Sequence, residues 1–107
     1  GSYKILDKQK NWAVKELILE PGKSLSDQRH SFRSEHWHIV EGIVNIDIEH
    51  VNGEKETIVI SPKESGDIPE MTWHRAYNKT KKPAKVIETW FGEKLTEDDI
   101  ERRNSDY

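Results

Sequence analysis

The chain has 107 residues, 33% of them apolar and 35% charged, with 17 lysines and arginines against 20 aspartates and glutamates. That length supports one core and one domain, residues 1–107. No apolar run is long enough to cross a bilayer, and a net charge of −3 with interspersed signs lacks the clustered basic face of a nucleic-acid binder. Cysteine is absent, which excludes disulfides and thiolate metal sites and fits a reducing cytoplasm.

Residues 3–7 alternate briefly and residues 8–11 form a polar turn. Residues 12–20 read as a strand of alternating apolar and β-branched side chains, stopped by Pro21-Gly22. Strands are predicted over residues 24–30, 35–41 and 43–50; in the last, Val44, Ile46 and Ile48 share one face. Asn52-Gly53 is a hairpin signal leading into a strand at residues 55–60. A loop at 62–66, a strand at 72–78, a turn at 79–83 and a strand at 84–92 complete the pattern. Short strands at this spacing predict an antiparallel sandwich or barrel. Only the end reads as helical: Thr96 can cap a helix with Asp99 three residues on, Leu95 and Ile100 are placed for a hydrophobic staple, and Arg102-Arg103 suit the last turn.

The chemistry lies in residues 22–42 and 69–78. Gln28 and His30 are two apart and share a strand face, and Glu35 rejoins that face if residues 31–34 form a turn or bulge. His74 arrives from a later strand. An amide oxygen, two imidazoles and a carboxylate suit a borderline divalent metal: zinc first, with manganese, iron, cobalt or nickel as alternatives. The competing reading is a set of hydrogen-bonded polar residues inside a barrel. It suits one lone histidine better than four groups at this spacing, because buried unpaired polar groups are costly. His36 and His38 fall on the opposite face from Glu35 and are predicted to point outward; a register slipped by one residue would instead make His36 the ligand. Trp37, Trp73 and Trp90 read as packing rather than sugar-stacking residues.

The spacing from Gly22 through Gln28, His30 and Glu35 to Gly42 resembles the first cupin motif, G-x5-H-x-H-x4-E-x6-G, with Gln28 in place of its first histidine. Residues 69–78 resemble the second motif, with Lys63 and Met71 where two of its glycines stand. More narrowly, LSDQRHSFRSEHWHIVEG resembles the L-S-x-Q-x-H-x-H-R-x-E-H-W-x-V-x-x-G signature of type II mannose-6-phosphate isomerases, the C-terminal cupin domains of bifunctional mannose-1-phosphate guanylyltransferase/isomerase enzymes. The likeness extends to GSYKILD at the start and GEKLTEDDIERRNSDY at the end.

The resemblance implies an all-β cupin barrel with a short C-terminal helix, a homodimer, and conversion of mannose 6-phosphate to fructose 6-phosphate. Gln28, His30, Glu35 and His74 would be the metal ligands. Arg33 and Arg75, adjacent to ligands, are expected at the barrel mouth as phosphate-binding guanidiniums, with Lys23 and Arg29 as weaker candidates. Phe32 stands where the family has a histidine and is expected to line the substrate pocket. No catalytic base is assigned, and nothing here resembles the glycine-rich nucleotide-binding start of the guanylyltransferase half. A cupin that binds a sugar or sugar nucleotide without catalysis is the alternative. An iron dioxygenase is disfavoured, because Gln28 in place of a histidine ligand weakens redox tuning.

Overall fold

The computed structural model describes residues 2–92, 95 and 99–103, and among these it holds ten strands and no helix. They are β1 (Ser2–Lys8), β2 (Trp12–Leu19), β3 (Asp27–Arg29), β4 (Arg33–Glu41), β5 (Val44–Glu49), β6 (Lys55–Ile60), β7 (Ser65–Ile68), β8 (Trp73–Tyr77), β9 (Ala84–Gly92) and β10 (Glu101–Arg103). Two five-stranded antiparallel sheets form, in the orders β1-β2-β9-β4-β7 and β10-β3-β8-β5-β6. The all-β expectation is met. No membrane-crossing helix is present among the described residues.

The inner faces follow from period-2 alternation. Leu17 and Leu19, Trp37 and Ile39, and Val86 pack from the first sheet against Val44, Ile46 and Ala76 of the second. Along the same inner faces the character then changes. β2 continues from Leu17 to Lys15, β9 from Val86 to Glu88, and β4 from Ile39 and Trp37 to Glu35 and Arg33. One end of the barrel is therefore apolar, while the other is lined by charge.

Two expectations change. Residues 62–66 were expected as a loop, yet Ser65–Ile68 form β7, because β4 supplies a full partner row from Glu35↔Ile68 to His38↔Ser65. The helix expected at the end is contradicted at Glu101–Arg103, which form β10 and pair with β3. Thr96 lies outside the described residues. Asp99, expected to sit in the first helical turn, instead accepts hydrogen bonds from the Ser31 and Phe32 amides. Long-range pairing has overridden a local helix signal.

Gly42, the last residue of the first motif, has φ +78°, and a Cβ there would lie 2.6 Å from the Pro83 carbonyl oxygen. Only glycine fits. The two absent glycines of the second motif leave a mark, since Lys63 (φ 73°) and Met71 (φ 61°) hold the left-handed backbone without a glycine's freedom. Their amides still donate to Ile39 and His30 carbonyls, at 2.8 Å each. A non-glycine residue in this region costs on the order of 1–2 kcal/mol, and glycine's greater unfolded-state entropy returns part of that. Lys63→Gly is therefore expected to stabilise the fold by about 0.5–1 kcal/mol, read as a higher urea midpoint at unchanged slope.

Candidate metal centre

β4 and β8 present Glu35 and His74 inward from opposite sheets, and His30 follows directly on β3. All three are almost fully buried. Their ligand atoms lie within 4.8 Å of one another: His30 Nε2 is 3.3 Å from Glu35 Oε2, and His74 Nε2 is 3.7 Å from Glu35 Oε1. Each histidine donates its other ring nitrogen to a carbonyl, His30 Nδ1–H to Asp99 at 2.7 Å and His74 Nδ1–H to Thr72 at 3.1 Å. Both Nε2 atoms therefore point towards Glu35. Two imidazoles with oriented rings and a carboxylate at these separations fit a divalent ion bound at roughly 2.0–2.2 Å per ligand.

Gln28 pairs in register with His74 across β3 and β8, so the two share a face. Its amide nitrogen donates weakly to the Ser26 carbonyl at 3.5 Å. The four expected ligands are thus brought to one end of the barrel. His36 and His38 point outward, as alternation required, and His36 pairs with Asp67 at 2.6 Å. The slipped-register alternative is excluded. Trp37 and Trp90 are buried as packing residues with polar tips, Trp37 Nε1 donating to Glu35 at 2.9 Å and Trp90 Nε1 to Glu88 at 3.0 Å.

The arginines do not both reach the barrel mouth. Arg33 is only 7% exposed. Its Nε donates to Glu35 Oε2 at 3.0 Å, its Nη2 to His30 Nε2 at 3.0 Å, and its guanidinium stacks on Trp90 at 3.8 Å. It has the same strand parity as Glu35, so it lies inside the cluster rather than at the rim. Arg75 is next to His74 on β8 and must face the other way. There it meets Asp47 at 2.9 Å and stacks over Tyr77, on the outer face of the sheet. Arg29 likewise pairs with Glu101 and lies over Trp73. Phe32 lines a groove of about 530 Å³ with Asn11, Ser31, Glu70 and Gly92.

The site also holds Glu88, which the sequence reading did not single out. It is opposite Lys15 on β2 and Trp37 on β4, and Lys15 Nζ is 3.7 Å from its carboxylate. Burial, then the Glu35 charge, push its pKa up to about 8, against the pull of Lys15 and Trp90. Burial alone would raise Glu35 too, but His74, Arg33, His30 and the Trp37 indole outweigh it and hold that carboxyl at about 2. Burial lowers His30 despite Glu35 beside it.

These shifts have opposite signs in a pH titration of stability. Glu88 keeps a proton in the fold that the unfolded chain releases above the ordinary carboxyl range, so stability falls as pH rises from about 4.5 to about 8. Glu35 contributes stability above about 4.5 that is lost as pH falls towards about 2. In chelator-treated protein, the free energy of unfolding should therefore decline from about pH 6.5 to pH 8, by at most about 1.4 kcal/mol per unit, while below about pH 6.5 the lowered His30 pKa makes stability rise with pH and offsets the Glu88 decline. Glu88→Gln should flatten that decline; an unchanged slope in the variant would contradict the assignment.

The chain has clear relatives. Residues 1–105 match the family described as mannose-6-phosphate isomerase C-terminal. The alginate biosynthesis protein AlgA of Pseudomonas aeruginosa is 36% identical over 107 residues, which is all of this chain and 21% of that protein. The mannose-1-phosphate guanylyltransferase RfbM of Salmonella typhimurium is 36% identical over 102 residues, 95% of this chain and 20% of that protein. The chain thus spans about a fifth of the length of these curated relatives. Among solved structures, CapF with the inhibitor 3-isopropenyl-tropolone superposes with a TM-score of 0.83 at 24% identity, over 95% of this chain and 31% of that one. An oxalate oxidase in complex with glycolate gives a TM-score of 0.81 at 15% identity, over 94% of this chain and 54% of that one. Fold, motif and family agree: this cupin barrel belongs to the mannose-6-phosphate isomerase C-terminal family.

Proposed function

We propose that this domain is a metal-dependent sugar-phosphate isomerase that converts mannose 6-phosphate to fructose 6-phosphate. The observation that carries the reading is the convergence of His30, Glu35 and His74 on one buried point in a member of this family. His30, Glu35, His74 and the Gln28 amide oxygen would hold the ion, zinc first, with manganese, cobalt, nickel or iron as alternatives. A bound divalent ion supplies polarisation of the carbonyl and neighbouring hydroxyl of the open-chain sugar. The isomerisation moves one proton from C2 to C1 and a second from the C2 hydroxyl to the C1 oxygen, and a site shielded from water favours both transfers. The burial of the cluster and the apolar core beside it support such shielding.

Arg33 is the guanidinium we assign to the substrate's anionic group, since it is the arginine at the cluster. Phe32 and the groove beside it would receive the rest of the sugar phosphate. The family resemblance supports a homodimer, and a phosphorylated metabolite with a cysteine-free chain supports a cytoplasmic setting. Proton NMR of metal-supplemented protein with mannose 6-phosphate tests the reading: appearance of fructose 6-phosphate supports it. Saturable binding with no product would favour the second reading, a sugar-binding cupin without catalysis, which the replacement of a pocket histidine by Phe32 favours.

A further inference from the structure

We propose that Asp99 is a positioning residue for the metal centre, holding His30 from a chain segment 69 residues away. The inference rests on the metal-site reading above and assigns a dependence within it. The two histidines are oriented by different means. His74 donates Nδ1–H to the carbonyl of Thr72, two residues away, so its orienting partner comes with its own strand. His30 has no local equivalent, and its Nδ1 meets the backbone carbonyl of Asp99 at 2.7 Å.

The same residue shapes the backbone that carries His30. The Asp99 carboxylate accepts from the Ser31 amide through Oδ1 at 3.0 Å and from the Phe32 amide through Oδ2 at 2.9 Å. Two successive amides between β3 and β4 thus share one carboxylate, and this is the turn that returns Glu35 to the face of Gln28 and His30. Beyond it, β10 runs beside β3 with Glu101↔Arg29 and Arg102↔Gln28 in register, so the strand carrying Gln28 has the same support. On the other side the His30 carbonyl accepts from the Met71 amide at 2.8 Å, fixing the backbone but not the ring.

Donor and acceptor chemistry then sets the tautomer. A carbonyl oxygen only accepts, so Nδ1 carries the proton; a guanidinium only donates, so Nε2, 3.0 Å from Arg33 Nη2, is the lone pair. The two constraints agree. Without the Asp99 carboxylate, two amides lose their acceptor and the carbonyl is no longer held over Nδ1, so the ring loses its partner on that side while Arg33 alone still favours the Nδ1–H form. Loss of an orienting partner at a metal-bound histidine typically weakens metal binding by about 10–100-fold.

The test uses cobalt(II) or zinc(II), with affinity measured by competition against a chromogenic chelator for wild type, Asp99→Ala, Asp99→Asn and His74→Ala. Alongside it, nitrogen NMR of the His30 ring is recorded in chelator-treated protein at pH 7.5. Asp99→Ala should lose about 10–100-fold in affinity, and the His30 Nδ1 resonance should move towards that of a ring N–H without a carbonyl acceptor. Asp99→Asn, which keeps one acceptor oxygen and serves if the alanine variant does not fold, should lose less. Glu101→Ala, which breaks only the exposed ion pair to Arg29, should bind metal like wild type. An equal loss in Glu101→Ala would overturn the assignment to Asp99. So would wild-type affinity in both Asp99 variants when His74→Ala has lost binding. If the wild type itself binds no metal, the metal reading fails, and the His30 Nδ1 resonance still decides what Asp99 does.

Discussion

Replacing Glu35 with alanine is expected to destabilise the fold by about 3–5 kcal/mol, the range for breaking a buried ion pair from one side. The magnitude follows from what the carboxylate holds. Arg33 donates to it through Nε and keeps Nη2 2.9 Å from it, the Trp37 indole donates to it at 2.9 Å, and both imidazole Nε2 atoms face it. Removing it leaves a buried guanidinium without its anion and a buried indole N–H without its acceptor. A domain of this size has a total stability of about 5–15 kcal/mol, so the variant should unfold at low urea. Glu35→Gln keeps an oxygen for the indole and should lose roughly half as much. A loss below about 1 kcal/mol in Glu35→Ala would mean that Arg33 escapes to solvent and that the cluster is not a rigid unit.

His74→Ala should have the converse profile, abolishing metal-dependent chemistry while leaving the fold largely intact. His74 donates one hydrogen bond to the Thr72 carbonyl and otherwise faces Glu35 and His30, its ring centroid 5.5 Å from that of His30. Its removal costs about 1–3 kcal/mol of packing and hydrogen bonding. It removes one of the proposed ligands, however, so metal affinity should fall by more than the roughly 100-fold upper range for an orienting partner. Calorimetric metal titration of the variant checks this, with thermal denaturation to confirm that it is folded. Undiminished stoichiometric binding would place the ion elsewhere.

Residue parity made much of the site legible in advance. The spacing of Gln28, His30 and Glu35, with a turn between the last two, was enough to bring them together, and parity alone sent His36 and His38 outward. The same rule, applied further, would have corrected two expectations. Arg33 shares parity with Glu35 and so lies within the cluster, whereas Arg75 differs from His74 by one and so lies on the outer face. Glu88 carried a signal of the same kind, a carboxylate in the inward series Ala84, Val86, Trp90.

Other features had no local signal. Residues 65–68 lack alternation and become a strand only because β4 offers an edge. Residues 95–103 carry cap and staple residues that read as a helix, while the pairing of β10 with β3 is fixed by partners more than 70 positions earlier. Asp99 belongs to this class. No window of sequence near His30 contains the group that orients it.

The central claim, a metal-dependent isomerase centred on His30, Glu35 and His74, is tested most directly by a coupled assay for fructose 6-phosphate formed from mannose 6-phosphate. Chelator-stripped protein is assayed with zinc, cobalt, manganese, nickel or iron added back singly, beside His74→Ala. The account predicts no turnover in stripped protein, recovery with at least one of these ions, and none with any ion in the variant. Failure of every ion to restore turnover in a wild-type protein that binds one stoichiometrically would contradict it and leave a sugar-binding cupin.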